Sequence, residues 1–280
     1  MEDHQINSKE FENRTNIDPT QFKWNKKLRD GTYKKYYDNG KLMIEATYKN
    51  NELNGPYKKY YRNGNLKIDT IYKNDKLNGY YKKYFDDEDI YIDTIYKDGK
   101  LNGKYKEYYE NRNIYIDTIY KNDELNGYYK KYFNNGNIYI EATYKDGKLN
   151  GYYKSYDENG YIMTDIMYKN GEKNGLYKSY YKNENIYIEA IYRDDKLNGK
   201  YKKYYKNGNI WIEAIYKDDK LNGEYKLYYE NGQIMFDRFY KNDEKNGPCK
   251  KYDEDGNLIE YLLYKNDRLI KNYLNSDKNE

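Results

Sequence analysis

Residues 31–54 read GTYKKYYDNGKLMIEATYKNNELN, and this stretch decides the fold. Two runs, residues 32–37 and 42–48, are rich in Tyr, Ile and Thr, which suit a pleated strand. Asn39-Gly40 lies between them, and this dipeptide is typical of a two-residue type I′ turn because both positions need a positive φ. The stretch therefore predicts a β-hairpin.

The same unit returns every 24 residues, so that ten copies cover residues 31–270. Glycine marks the start of every copy, and tyrosine recurs in phase in the columns of Tyr36 and Tyr48. Two turn signals per unit leave no room for three helical turns, and the apolar period is two. The repeat predicts an all-β fold, an elongated open antiparallel meander of about ten hairpins.

Turn and charge together predict a register. With Asn39-Gly40 as the loop, Lys34 faces Glu45 and Tyr36 faces Met43. The Lys34 column is lysine in all ten copies and its partner is acidic in nine, which supports this pairing. A second turn at Asn54-Gly55 is predicted to pair Tyr48 with Tyr57. One face would then carry the columns of Tyr33, Tyr37, Leu42, Ile44, Ala46 and Tyr48, and the other those of Lys34, Tyr36, Met43, Glu45 and Thr47.

Composition excludes several classes of protein. The 51 basic and 47 acidic residues nearly cancel, to a net charge of +4, unlike the uncompensated positive field of a nucleic-acid binder. One Cys and one His exclude an internal disulfide and a multi-histidine metal site. The N-terminus lacks the apolar core of a signal peptide, and no run of 18 apolar residues exists. We therefore expect a cytoplasmic location.

The ends and some repeats depart from the pattern. Residues 1–20 are predicted to be a flexible tail, 21–30 a capping half-repeat that includes Phe22 and Trp24, and 271–280 a C-terminal tail. Repeat six is irregular over residues 157–173 and repeat ten over 249–260. Either region is a locally relaxed repeat, or the first is a bend or partner contact.

Catalytic residues are not expected. His4 lies in the off-period tail and Cys249 fills a tyrosine column, so neither belongs to a nucleophile–base pair. Each acid of the repeating column is expected to face a lysine, which favours the ionised carboxylate and makes a poor general acid. We therefore predict a non-enzymatic protein with no cofactor and no metal.

The column of Met43 is the candidate binding element. Half of its ten residues are aromatic, and it is predicted to share a face with the acid–lysine pairs, either packed against the Tyr36 column or partly exposed to a protein partner. Its candidate partner-binding residues are Tyr91, Tyr115, Tyr139, Tyr187 and Trp211. The flanking ion-pair columns are Lys82, Asp93, Lys106, Asp117, Lys130, Glu141, Lys178, Glu189, Lys202 and Glu213.

Other partners fit the pattern less well. Lysines that alternate with aromatic residues resemble surfaces that bind single-stranded nucleic acid, but here acids neutralise them, so nucleic acid is not expected. Lysine and tyrosine favour a membrane surface, although no polybasic cluster is visible. Repeated tyrosines also suit glycan or choline recognition, which would require export. The oligomeric state stays open.

Two units carry a family resemblance: GYYKKYFNNGNIYIEATYKDGKLN (127–150) and GKYKKYYKNGNIWIEAIYKDDKLN (199–222). They resemble the variant MORN repeat of YwqK-type bacterial proteins, over about 240 of the 280 residues. The resemblance implies an open meander of hairpins without a cofactor or catalytic motif. It also implies a binding role, either as an antitoxin or immunity protein or as a membrane-associated scaffold.

Overall fold

The computed structural model describes residues 29–274, and all regular secondary structure in this range is β-strand. The strands are β1 (Gly31–Tyr36), β2 (Leu42–Lys49), β3 (Glu52–Tyr60), β4 (Leu66–Lys73), β5 (Lys76–Tyr84), β6 (Ile90–Lys97), β7 (Lys100–Tyr108), β8 (Ile114–Lys121), β9 (Glu124–Tyr132), β10 (Ile138–Lys145), β11 (Lys148–Tyr156), β12 (Ile162–Lys169), β13 (Glu172–Tyr180), β14 (Ile186–Arg193), β15 (Lys196–Tyr204), β16 (Ile210–Lys217), β17 (Lys220–Tyr228), β18 (Ile234–Lys241), β19 (Glu244–Tyr252), β20 (Leu258–Lys265) and β21 (Arg268–Asn272).

The strands form two compact units. One comprises the described residues up to Asp89 together with Ile95–Lys100, and the other comprises Ile90–Thr94 and the described residues from Leu101 onward. In the first unit, β1 to β5 pair antiparallel in chain order; in the second, β7 to β21 do the same. The predicted all-β open antiparallel meander of hairpin repeats is confirmed. His4 and the predicted tail and cap over residues 1–28 lie outside the described residues.

The predicted pairing of Lys34 with Glu45 is also confirmed, and it is two-sided. Lys130 lies opposite Asp117 on β8 and opposite Glu141 on β10. Within each unit, most lysines of this column lie between two acids in the same way, so the charges alternate from strand to strand. This ion-pair ladder accounts for a chain that is rich in charge yet nearly neutral.

The turns differ from the prediction. The two-residue turn with positive φ at both positions is Asn50-Asn51, at 51° and 66°, and its equivalents recur in the other repeats. The connection at Asn39-Gly40 is instead a three-residue loop, in which Tyr37 N–H donates to Lys41 O (2.8 Å) and Gly40 N–H to Tyr37 O (3.0 Å). Gly40 takes the left-handed position that ends such loops.

A β-bulge follows each three-residue loop. Lys35 pairs with Ile44, but Tyr36 pairs with Leu42, so Met43 is an extra residue on β2. The predicted pair of Tyr36 with Met43 is therefore wrong. A bulge places two successive side chains on one side of the sheet. Met43 consequently joins the face of Ile44, and Leu42 lies on the other face.

The repeat-start glycines lie within strands, and the predicted turn at Asn54-Gly55 is wrong. Tyr48 pairs with Leu53 rather than with Tyr57, which pairs with Ala46. Gly55 lies in the resulting irregularity of β3 with φ +134°, and a Cβ there would approach Thr47 Cβ to 3.0 Å. Glycine is needed at this point because the backbone is left-handed and the neighbouring strand is close.

The two faces of the sheet differ in burial. We call the face with the columns of Tyr33, Lys35, Ile44, Ala46 and Tyr48 the ring face, and the opposite face the ion-pair face. Most buried side chains lie on the ring face, among them Ile44, Ala46, Tyr57, Ile68, Tyr72 and Tyr81. Tyrosines of adjacent strands meet there edge to face, with ring centres 5.4 Å apart for Tyr57 and Tyr72. The ring face is therefore the core.

Side chains at both edges tie each repeat to the next. At one edge Asn39 Nδ2 donates to Arg62 O (3.0 Å), and at the other Leu53 N–H donates to Asp75 Oδ1 (2.7 Å). Equivalent bonds recur along the chain, for example from Leu197 N–H to Asp219 Oδ1 (2.7 Å). These ladders satisfy loop groups that the strands leave unpaired.

Candidate binding surface

The predicted aromatic stripe lies on the ring face, at the bulge of each hairpin. Its rings pack against the Tyr37 column, not against the Tyr36 column as one interpretation of the sequence held. The ring centres are 4.8 Å apart for Tyr109 and Tyr115, 4.7 Å for Phe133 and Tyr139, 4.8 Å for Tyr181 and Tyr187, and 5.5 Å for Tyr205 and Trp211. The stripe residues Tyr115, Tyr139, Tyr187 and Trp211 are thus half of a row of ring pairs.

Lysines of the Lys35 column lie between successive stripe rings. Lys131 Nζ is 5.2 Å from the centre of the Tyr115 ring and 5.7 Å from that of Tyr139. Lys203 Nζ is 5.1 Å from the Tyr187 ring and 4.1 Å from that of Trp211. These distances permit cation–π attraction. The stripe therefore alternates rings with cations supplied by the intervening strand.

Stripe and ion pairs lie on opposite faces, so the prediction that they share one is wrong. Lys130 and Lys131 are neighbours on β9, and neighbouring side chains on a strand point to opposite faces. Lys130 pairs with Glu141, whereas Lys131 reaches the rings of the stripe. The physical reason is the bulge, which moves the stripe residue to the face of the Lys35 column.

Tyr91 has a different partner from the rest of the stripe. Its hydroxyl donates to Glu107 Oε1 (3.0 Å), and the Tyr105 hydroxyl donates to Glu107 Oε2 (3.0 Å). Glu107 occupies the Lys35 column of its repeat and is 1 % exposed. A buried carboxylate needs such donors. At this repeat the stripe is part of a buried hydrogen-bond network.

The ion-pair face holds the predicted lysine–acid contacts. The Nζ to carboxylate-oxygen distance is 3.7 Å for Lys106–Asp117, 3.9 Å for Lys130–Glu141, 3.1 Å for Lys178–Glu189 and 3.0 Å for Lys202–Glu213. The hydrogen bond from Lys202 lowers the pKa of Glu213, and the same contact raises the pKa of Lys202. Glu213 is therefore held ionised, which makes it a poor proton donor.

An exposed apolar band on the ion-pair face was missed by the sequence reasoning. Its members come from the Thr32 and Thr47 columns and are 38 to 42 % exposed: Met167, Leu176, Ile191, Ile215 and Phe239. Leu176 pairs directly with Ile191. The signal was present as large apolar residues in the Thr47 column, but their exposure depends on packing that a repeat pattern does not give. We call this row the apolar band.

The remaining candidate groups do not form a reactive centre. Cys249 is buried, and burial raises the pKa of its thiol, which disfavours the nucleophilic thiolate. Among residues 29–274, no three His, Cys, Asp or Glu side chains lie close enough together to hold a metal ion. In the same part of the chain, no helix is long and apolar enough to cross a membrane.

The repeating unit of this chain matches a known repeat family. The profile of the MORN repeat variant matches residues 29–50, 53–74, 125–146, 149–170, 173–194, 197–218, 221–242 and 245–266, more than half of the chain. The chain belongs to the MORN repeat variant family. Residues 75–124 fall outside these matches, yet β7 and β8 pair there in the same register as the other MORN hairpins. Membership indicates a repeat scaffold.

Comparisons with other proteins add little to this assignment. No curated protein matches the chain. Among solved structures, the crystal structures of TcdB2-TccC3 and TcdB2-TccC3-TEV each resemble it at 10 % identity over 85 % of this chain, with TM-scores of 0.19. The MORN chain spans only 17 % and 18 % of those chains. Likenesses this weak carry no argument about its function.

Proposed function

We propose that this chain is a non-enzymatic cytoplasmic scaffold that binds a protein partner along the aromatic stripe, in the manner of an antitoxin or immunity protein. Three features support the proposal: the MORN repeats, the stripe of large rings and the mutual neutralisation of the ion-pair face. Tyrosine and tryptophan are favoured at protein interfaces because they offer large amphipathic contact area with few rotatable bonds.

The regular bulge is the observation that carries the proposal. In each hairpin it adds one side chain to the ring face, beside the Tyr37 column, without altering the Lys34–Glu45 pairing. Bulges commonly re-aim a side chain toward a functional surface. Here they produce a row of half-buried ring pairs beside the buried columns of the same face, on which a partner can pack.

Pull-down from native lysate, followed by measurement of the captured protein's affinity, tests the proposal. We expect a defined partner whose binding weakens at least tenfold in Tyr139→Ala and in Trp211→Ala, because truncation at interface rings commonly costs more than about 1.4 kcal/mol. Tyr161→Ala is the matched control, since Tyr161 is an exposed tyrosine outside the stripe. Unchanged binding by folded stripe variants would contradict the proposal.

The apolar band favours a second candidate function, attachment to a membrane surface. Its exposed aliphatic and aromatic side chains run beside the lysines of the ion-pair ladder, a combination suited to the interfacial region of a bilayer. Sedimentation with vesicles that contain phosphatidylserine tests it. Binding that is lost in Ile191→Ser/Phe239→Ser, but kept in Trp211→Ala, would favour this function over protein binding through the stripe.

A further inference from the structure

Two serines interrupt the lysines of the stripe. In the Lys35 column, Lys131 and Lys203 lie between stripe rings, but Ser155 on β11 and Ser179 on β13 occupy the equivalent positions in the repeats between them. Ser155 lies on the strand next to that of Tyr139, since β11 pairs with β10. Ser179 lies on the strand next to that of Tyr187, since β13 pairs with β14. At both places a ring that has a lysine on its other side faces a short hydroxyl side chain.

The neighbouring substitutions also remove bulk. Thr164 pairs with both serines and stands where most other repeats have Ile, and Asp157 stands where the adjacent repeat has Phe133. Met163 replaces a stripe ring and is 50 % exposed. Each serine thus puts a short side chain between two stripe positions, and we call these two places the notches: one at Ser155 between Tyr139 and Met163, the other at Ser179 between Met163 and Tyr187. Their separation is two strands, or about 10 Å.

The substitutions that reduce side-chain volume also reduce positive charge on this part of the ring face. Two lysines are lost to serine and one aromatic position becomes the carboxylate of Asp157, while one leucine position becomes Lys173, so this part of the ring face carries less positive charge than the repeats around it. Ser155 Oγ is bonded to Thr164 Oγ1 (2.6 Å), but Ser179 Oγ is buried and makes no hydrogen bond with the described residues.

We infer that the two notches accept basic side chains, lysine above all, from the protein partner. The chain provides the template itself, because Lys131 and Lys203 show how an ammonium group fits between rings of this stripe. In a notch, the partner's ammonium would lie beside Tyr139 or Tyr187, as Lys131 Nζ and Lys203 Nζ do on the other side of these rings. This inference rests on the proposed function and adds the chemistry of the partner: two basic residues spaced to span neighbouring notches.

Titration with hexalysine, observed through tyrosine fluorescence, tests the notches directly. Ser179→Lys restores the residue found at Lys131 and Lys203, so it should leave the fold intact while filling one notch. We expect it to weaken hexalysine binding at least fivefold. Leu227→Lys is the matched control, since it adds the same charge in the same column beside Trp211. It should change binding less than twofold.

The outcomes separate this inference from the proposed function. Equal effects of Ser179→Lys and Leu227→Lys, or no binding of hexalysine to the unmodified chain, would overturn the notches. If stripe variants abolish binding of the natural partner while Ser155→Lys/Ser179→Lys keeps it, the proposed function stands and the notches fail. If hexalysine binds as expected but no protein partner depends on the stripe, the notches stand as a cation site and the proposed function fails.

Discussion

Lys203 Nζ lies 4.1 Å from the centre of the Trp211 ring, whereas the preceding residue, Lys202, is paired with Glu213 on the opposite face. This contact predicts a favourable coupling of about 0.5–1 kcal/mol between Lys203 and Trp211. A double-mutant cycle of Lys203→Met and Trp211→Leu, measured by urea unfolding, checks it. A coupling free energy of zero in that cycle would show that the contact between Lys203 and Trp211 does not stabilise the fold.

The repeat-start glycine should be intolerant of a side chain. Gly223 has φ +135°, and a Cβ there would lie 3.1 Å from Ile215 Cβ, so Gly223→Ala meets both strain and a close neighbour. We expect a loss of about 2 kcal/mol in the free energy of unfolding, measured by denaturant titration. Gly160→Ala separates the two causes, because Gly160 has φ +90° but nothing within 4 Å of its Cβ position. Gly160→Ala should therefore lower the free energy of unfolding by less than Gly223→Ala does. An equal loss in the two variants would show that the close approach to Ile215 Cβ is unimportant.

One loop residue, Glu184, should be replaceable with a gain in stability. Glu184 holds the left-handed position of its three-residue loop, with φ 66°, where most repeats have glycine. Glu184→Gly should therefore stabilise the protein by about 1 kcal/mol, since a non-glycine residue pays roughly that cost in this region. In the control, Glu158→Gly, the native φ is not positive and the change should destabilise. A thermal unfolding midpoint that falls in Glu184→Gly would contradict the loop geometry.

The buried tyrosines predict unfolding at high pH. Burial raises the pKa of Tyr57 and of Tyr144 to about 12, against about 10 in the unfolded chain. Below pH 10 both states are protonated and the stabilisation is complete. Between pH 10 and 12 only the unfolded state ionises, so each such tyrosine removes about 1.4 kcal/mol per pH unit. A combined circular-dichroism and tyrosinate-absorbance titration should show cooperative loss of structure in this window, and smooth ionisation of folded protein would contradict it.

The sequence was sufficient for the hairpin repeat because its period, its tyrosine columns and the Lys34–Glu45 charge match all indicate the same register. It was insufficient for the turns, because each repeat offers several dipeptides that tolerate positive φ. Asn39-Gly40, Asn50-Asn51 and Asn54-Gly55 compete, and only backbone pairing distinguishes a loop, a type I′ turn and a bulge.

The candidate surface was predicted in part for the same reason. The sequence places the stripe residues in one column correctly. The face on which they lie, however, depends on the β-bulge that makes Met43 an extra residue of β2. A one-residue shift in a strand reverses every side chain beyond it. Here the bulge lies on the loop side of the Lys34–Glu45 pair, so that pair is kept while the stripe residue changes face.

Proton contacts of Trp211 test the central claim, that the bulge places the stripe on the ring face. In a nuclear Overhauser experiment on the folded chain, indole protons of Trp211 should show contacts to the Lys203 side chain and the Tyr205 ring. Contacts from Trp211 to Lys202, Glu213 or Tyr204 would instead place the stripe on the ion-pair face and contradict the account.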